Sequence, residues 1–174
     1  KYKRHRPRLL ILLGNPALLM RDEYRELWGD IPIVLCSEEN YLGPQETYTK
    51  KQAIATADRT PLTQLADPYN MVLLYSNLYL DENIQLICHI VPEIKKFIFI
   101  GDARQINQTN NLDIRNKLKK THPNVEYQFI TPQDMTTNQL LDSLYFVDPK
   151  TTGVLFSSWF YKTTFAGNTS LVSN

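Results

Sequence analysis

Apolar residues fall in short blocks along this chain, separated by longer stretches of mixed character. The first block, residues 8–13 (RLLILL), is continuous and ends at Gly14, the pattern of a strand buried on both faces. Asn15-Pro16 suits an N-cap and a first helical position. Met20, Tyr24, Leu27 and Trp28 then lie at i, i+4, i+7 and i+8, on one helical face. Gly29-Asp30 stops that helix, and residues 31–36 (IPIVLC) read as a second apolar strand. A strand, a helix and a strand with tight joints predict a right-handed βαβ unit with parallel strands.

Residues 38–70 break this rhythm. They are polar, contain Pro44, Pro61 and Pro68, and show only a turn of helix near residues 61–65. So long a connection is expected to be a functional loop or an excursion between lobes. Regularity returns at residues 71–75 (MVLLY), a third strand. Asp81 is the expected N-cap of a helix whose Ile84, Ile87, Cys88 and Val91 share a face up to Pro92. Residues 97–100 (FIFI) form a strand closing on Gly101-Asp102, and a polar helix follows over residues 108–120 with Ile114 and Leu118 inward. Residues 125–130 (VEYQFI) alternate as a half-buried or edge strand. Thr136 and Gln139 make a capping box before Leu140, Leu141 and Leu144, and residues 154–156 give the last strand. Six strands interleaved with four helices predict an α/β fold of mostly parallel, doubly wound sheet, Rossmann-like or flavodoxin-like.

Composition narrows the class without naming a chemistry. The chain has 174 residues, 43% hydrophobic and 21% charged, which suits one domain or two small lobes and excludes collagen and intrinsic disorder. Its longest purely aliphatic run, residues 9–13, is too short to span a bilayer. The net charge of +1 hides an asymmetry. Lys1, Lys3, Arg4, Arg6 and Arg8 make residues 1–8 a basic leader without an acid. The remaining 14 basic and 18 acidic residues leave −4 on the body. No apolar stretch of a signal peptide follows the leader, and no aromatic platform or second basic face supports nucleic-acid binding. Cys36 and Cys88, the only cysteines, sit among aliphatic neighbours and read as buried thiols, with a disulfide between them left open.

The usual catalytic signatures are missing. There is no Gly-x-Gly-x-x-Gly, no Gly-x-x-x-x-Gly-Lys-Ser/Thr and no Gly-x-Ser-x-Gly. His5 lies in the leader, His89 inside a helix, and His122 before Pro123 at a helix end; none is paired with carboxylates at metal-ligand spacing. Glu38-Glu39 read as a solvated turn. Ligands of doubly wound sheets bind beyond the carboxyl ends of the strands. The residues at those ends are Asn15, Glu38, Ser76, Asn77, Asp102, Ser157, Ser158 and Trp159, a polar and aromatic set without a nucleophile–base pair. It predicts recognition rather than reaction. Ser157-Ser158 with Trp159, Phe160 and Tyr161 leave two readings open, packing at a chain crossing or stacking against a sugar.

Three segments carry a family resemblance. NPALLMRDEYRELWGDIPIVLCSEENYLGP, at 15–44, resembles the late N-terminal-lobe βαβ of type I periplasmic-binding-protein-like domains. MVLLYSNLYLDENIQLICHIVPEIKKFIFIGD, at 71–102, resembles the segment of that family that crosses between lobes. LLDSLYFVDPKTTGVLFSSWF, at 140–160, is similar to its second-lobe helix and strand leading to the hinge. More narrowly, residues 8–161 resemble the extracytoplasmic sensor regions of Bacteroides-type two-component sensor histidine kinases. The resemblance implies two partial lobes: a leader at 1–8, a first-lobe βαβ plus long loop at 9–70, and a second-lobe segment at 71–174. It implies a noncatalytic sensor in the periplasm, part of an inner-membrane kinase whose anchor and transmitter lie outside this chain. A small solute (sugar, amino acid or peptide) would be held by Asn15, Ser76, Asp102 and Trp159, with no cofactor, metal or nucleic acid, and with a homodimer as a further expectation. Three rivals stay open: the solute-binding subunit of an ABC-type transporter, a small flavodoxin-like enzyme, and an interaction domain that dimerises without a ligand.

Overall fold

The structure is a computed structural model that describes residues 5–76, 78–165 and 168–173, with side chains as far as Phe160. Asn77, the first four residues of the leader and the side chain of Tyr161 lie outside the described residues. The chain divides into two units, Lys1–Lys50 with Ile54–Leu78, and Tyr79–Asn174 with Lys51–Ala53.

In the first unit, β1 (Leu10–Leu13) leads through a 3-10 helix (Asn15–Met20) and α1 (Arg21–Trp28) to β2 (Ile33–Ser37). The connection beyond β2 is more structured than its composition suggests. It holds β3 (Tyr41–Leu42), α2 (Gln45–Thr49), β4 (Thr60–Pro61) and α3 (Thr63–Ala66), with β3 and β4 paired antiparallel, before β5 (Met71–Tyr75). The sheet is parallel with order β1-β2-β5. The second lobe was expected to begin at residue 71. Instead β5 pairs along its whole length with β2, so the boundary falls after Leu78.

The strand order in this sheet runs one way, and right-handed crossovers then put both connections on the same face. That face is the core. Leu12, Ile33, Leu35 and Met71 from the strands pack with Leu18 of the 3-10 helix and with Leu42 and Leu62 of the long connection. The other face is apolar and open: Ile11 is 63% and Leu13 78% exposed, and Val72 and Leu74 are exposed beside them. The register aligns Ile11, Val34 and Val72 in one row and Leu13, Cys36 and Leu74 in the next. The continuous apolar runs led us to expect burial on both faces; within this unit only one is covered.

The second unit runs α4 (Leu80–Ile90), β6 (Lys96–Ile100), α5 (Gln105–Thr121), β7 (Glu126–Ile130), α6 (Thr137–Tyr145) and β8 (Thr152–Phe156). A hairpin of β9 (Phe160–Phe165) and β10 (Asn168–Ser173), which the hydrophobic pattern did not suggest, follows. Its sheet is parallel with order β7-β6-β8. The chain moves from β6 to β7 and then back past β6 to β8. The reversal of direction puts the two crossover helices on opposite faces. Accordingly Phe97, Phe99, Ile84, Ile114 and Leu118 form one core layer with α4 and α5. Ile98, Ile100, Ile130, Leu140 and Trp159 form the other with α6. Each fully buried aliphatic or aromatic side chain here stabilises the fold by about 1.5–3 kcal/mol. The chain is therefore α/β with two parallel-stranded sheets, compatible with a Rossmann-like arrangement.

Candidate functional site

Reversal of strand order also creates a crevice. In a sheet whose first strand lies between the second and the third, the loops leaving the first and third strands diverge, and ligands bind between them. Here those strands are β6 and β8. Asp102 follows β6, and Ser157 and Ser158 follow β8, which is anchored by the Ser157 N–H donating to the Ile100 carbonyl at 2.9 Å.

Asp102 is 1% exposed. Its Oδ1 accepts from the Arg104 N–H at 2.8 Å, from Arg104 Nε at 3.0 Å and from Asn107 Nδ2 at 2.9 Å. Its Oδ2 accepts from Arg104 Nε at 2.9 Å and from Ser158 Oγ at 2.8 Å. Asn107 Nδ2 also donates to Ser158 Oγ at 2.8 Å, and Ser157 Oγ donates to Asn107 Oδ1 at 2.8 Å. Burial pushes the Asp102 carboxyl up, but the bonds from Arg104, Ser158 and Asn107 outweigh it and hold the pKa below the ordinary carboxylate value. The result is a carboxylate that fastens the loop after β6 to the loop after β8, with its own oxygens fully engaged.

Arg104 faces the other way. Its side chain is half exposed, and its guanidinium lies over the Phe160 ring with the carbon 4.9 Å from the centroid. Trp159 is buried in the α6 layer, its Nε1 donating to Thr137 Oγ1 at 3.1 Å. That decides between the two readings of the aromatic run for Trp159: it packs, and it presents no face for stacking.

The first unit has its own polar lock at the carboxyl ends of β1 and β2. Buried Asn15 donates from Nδ2 to the carbonyls of Glu39 and Tyr41 and accepts from Ser37 Oγ. Ser37 Oγ also accepts from the Glu39 N–H at 2.9 Å. The two glutamates do not form one solvated pair: Glu38 is exposed, whereas Glu39 is buried and accepts from Tyr41 Oη at 2.8 Å. Ser76 is exposed, its N–H bonded to the Ser37 carbonyl. Because the strand order of this sheet does not reverse, these strand ends enclose no crevice of their own.

Three of the four expected solute contacts, Asn15, Asp102 and Trp159, thus have protein partners, and Ser76 is the exposed one. Sequence reading passed over Arg104, Asn107 and Ser37. The available signal was Gly-Asp-x-Arg directly after an apolar strand, with an amide one helical turn on. His89 is exposed on α4, and Cys36 and Cys88 are free and half-buried rather than fully enclosed. A hollow lined by Arg21, Arg25, Tyr24 and Tyr69 measures about 10 Å³, room for one water and not for a solute.

No protein-family model, curated protein or solved structure matches this chain significantly. Among the described residues, no helix is long and apolar enough to cross a membrane, and no group of three or more His, Cys, Asp and Glu side chains is gathered to hold a metal.

Proposed function

We propose that this chain is the ligand-sensing extracytoplasmic domain of a membrane-bound two-component sensor histidine kinase, built on the type I periplasmic-binding-protein plan. The observation that carries the reading is the polar cluster at the switch point between β6 and β8. There a buried carboxylate, an amide and two hydroxyls tie together the two loops that a solute would touch, while a guanidinium and an aromatic ring stay at the surface. Two parallel-stranded units in tandem, each with a polar lock at its strand ends, support the same reading. Solute binding would act by favouring one arrangement of the domain over another, to the extent of its differential affinity for the two. Kinase and membrane anchor would lie outside these residues.

The test is a thermal-shift screen of the purified chain against sugars, amino acids and short peptides. A ligand that binds only the folded state raises Tm. At least one class is expected to do so; a flat response across all three overturns the reading. A flanking transmembrane helix and transmitter in the reading frame would separate a sensor kinase from a transporter subunit, which shares the plan.

A further inference from the structure

Resting on the solute-sensing reading, the free edge of Arg104 says what kind of solute the crevice takes. A guanidinium has five N–H donors in a rigid planar fork. In Arg104 the Nε–H is consumed by Asp102, and the backbone N–H is bonded to the same carboxylate, so the side chain is fixed at its base. The Phe160 ring lies against it, 4.9 Å from the guanidinium carbon to the ring centroid. The four N–H groups of Nη1 and Nη2 have no hydrogen-bond partner among the described residues, and the side chain remains half exposed. An arginine held in this way has already lost the rotamer freedom that a flexible surface arginine would lose on binding.

We propose that Arg104 anchors a carboxylate carried by the solute, through a two-pronged contact from Nη1 and Nη2 at the mouth of the β6–β8 crevice. Planar carboxylate and planar fork match in geometry, and charge-assisted bonds of this type are short and about twice as strong as neutral ones. Asp102 is the positioning residue. Its charge is offset by the guanidinium it holds, and its oxygens, all occupied, fix the direction of the fork before the solute arrives. Ser157 Oγ, exposed while donating to Asn107, keeps lone pairs free to accept from a hydroxyl or ammonium elsewhere on the same solute.

The experiment uses the full chain and matched pairs of solutes that differ in the carboxylate: galacturonate against galactose, and N-acetylglutamate against its diamide. Thermal shift and titration calorimetry are read for the wild type, Arg104→Gln and Arg104→Lys. The expected result is a Tm rise with a carboxylate member and none with its uncharged partner. Affinity should fall at least about tenfold in Arg104→Gln and less in Arg104→Lys; the unliganded Tm should also drop in Arg104→Gln, which leaves buried Asp102 without its cation, and drop less in Arg104→Lys. Circular dichroism of the unliganded variants checks that they are folded. Binding of the uncharged partners with equal affinity, or binding unchanged in folded Arg104→Gln, overturns the carboxylate proposal and leaves solute sensing standing. No binding by any solute overturns both.

Discussion

Asp102 is a charge kept inside the protein by its neighbours, and its protonation is therefore coupled to stability. Its folded pKa lies below the unfolded value of about 3.9. Its contribution is thus present above that value and disappears as pH falls through the folded pKa. Asp102→Asn should destabilise the chain by about 2–3 kcal/mol at pH 7, because an amide turns a donor toward Arg104 and Asn107. The gap between wild type and variant in urea unfolding should narrow well below pH 4; an equal gap at pH 3 and pH 7 would show that Asp102 is not charged in the fold. Tyr48 provides the alkaline counterpart. Burial, opposed by a bond from the Gly43 N–H and aided by the Glu39 charge, raises its pKa to about 12. The unfolded chain loses that proton near pH 10, so stability falls between about pH 10 and 12. Tyr127, whose phenol is likewise pushed up by burial, adds to that fall, so Tyr48→Phe should remove only its own share, seen as the loss of one late-titrating phenol in the ultraviolet titration. At this scale the sequence is informative about identity and poor on role. Gly101-Asp102 after an apolar strand marked the position, yet nothing in the spacing reveals that the carboxylate is saturated by Arg104, Asn107 and Ser158, one of them 56 positions away.

Elements were legible where a local signal is self-contained. The capping box is such a case: Thr136 Oγ1 accepts from the Gln139 N–H at 3.3 Å, and Gln139 Oε1 accepts from the Thr136 N–H at 2.8 Å, at the start of α6. Thr136→Ala should cost about 1 kcal/mol in chemical denaturation, with little change in m-value. Asp81 shows the reverse. It is a good capping residue, but α4 opens at Tyr79, held at φ 46°, and Asp81 bonds Lys117 of α5 at 2.9 Å. A tertiary partner overrides the local preference. Gly153 on β8 is set by packing of the same long-range kind. A Cβ there would run into Cγ2 of Ile87 on α4 and meet Cδ1 of Ile94 at 3.0 Å. The Ile87 Cγ2 methyl moves away only by χ1 rotation, into a rotamer that a helix disfavours for a β-branched residue. Gly153→Ala should therefore destabilise by about 1–3 kcal/mol despite its better strand propensity, and Gly153→Ala with Ile87→Val should recover little, since valine keeps that methyl. Recovery with Ile87→Ala instead, beyond what two independent losses allow, would be read in a double-mutant cycle as coupling between β8 and α4.

On the scale of the whole molecule, strand order explains what hydrophobicity alone could not. Residues 8–13, 31–36 and 71–75 are apolar without alternation, so their sequence predicts two buried faces and says nothing about which is covered first. The one-way order β1-β2-β5 places both crossovers on the Leu12–Leu35 face, whereas the reversed order β7-β6-β8 splits its helices between two faces and makes a crevice. That difference separates the two units chemically. One offers an open apolar sheet face, and the other offers polar groups gathered at a switch point. Substitutions on opposite faces of the same strands should accordingly diverge. Leu35→Ala removes a side chain with no exposure and should cost about 2–5 kcal/mol. Leu13→Lys and Leu74→Glu lie on the open face, 78% and 56% exposed, and should each change stability by no more than about 0.5 kcal/mol. An exposed apolar patch of this kind promotes self-association, so the charged variants should also lower the apparent mass in light scattering at high protein concentration if wild-type chains associate through it. Were Leu13→Lys to cost as much as Leu35→Ala at protein concentrations where the chain is monomeric, the face would have to be covered within the chain rather than open.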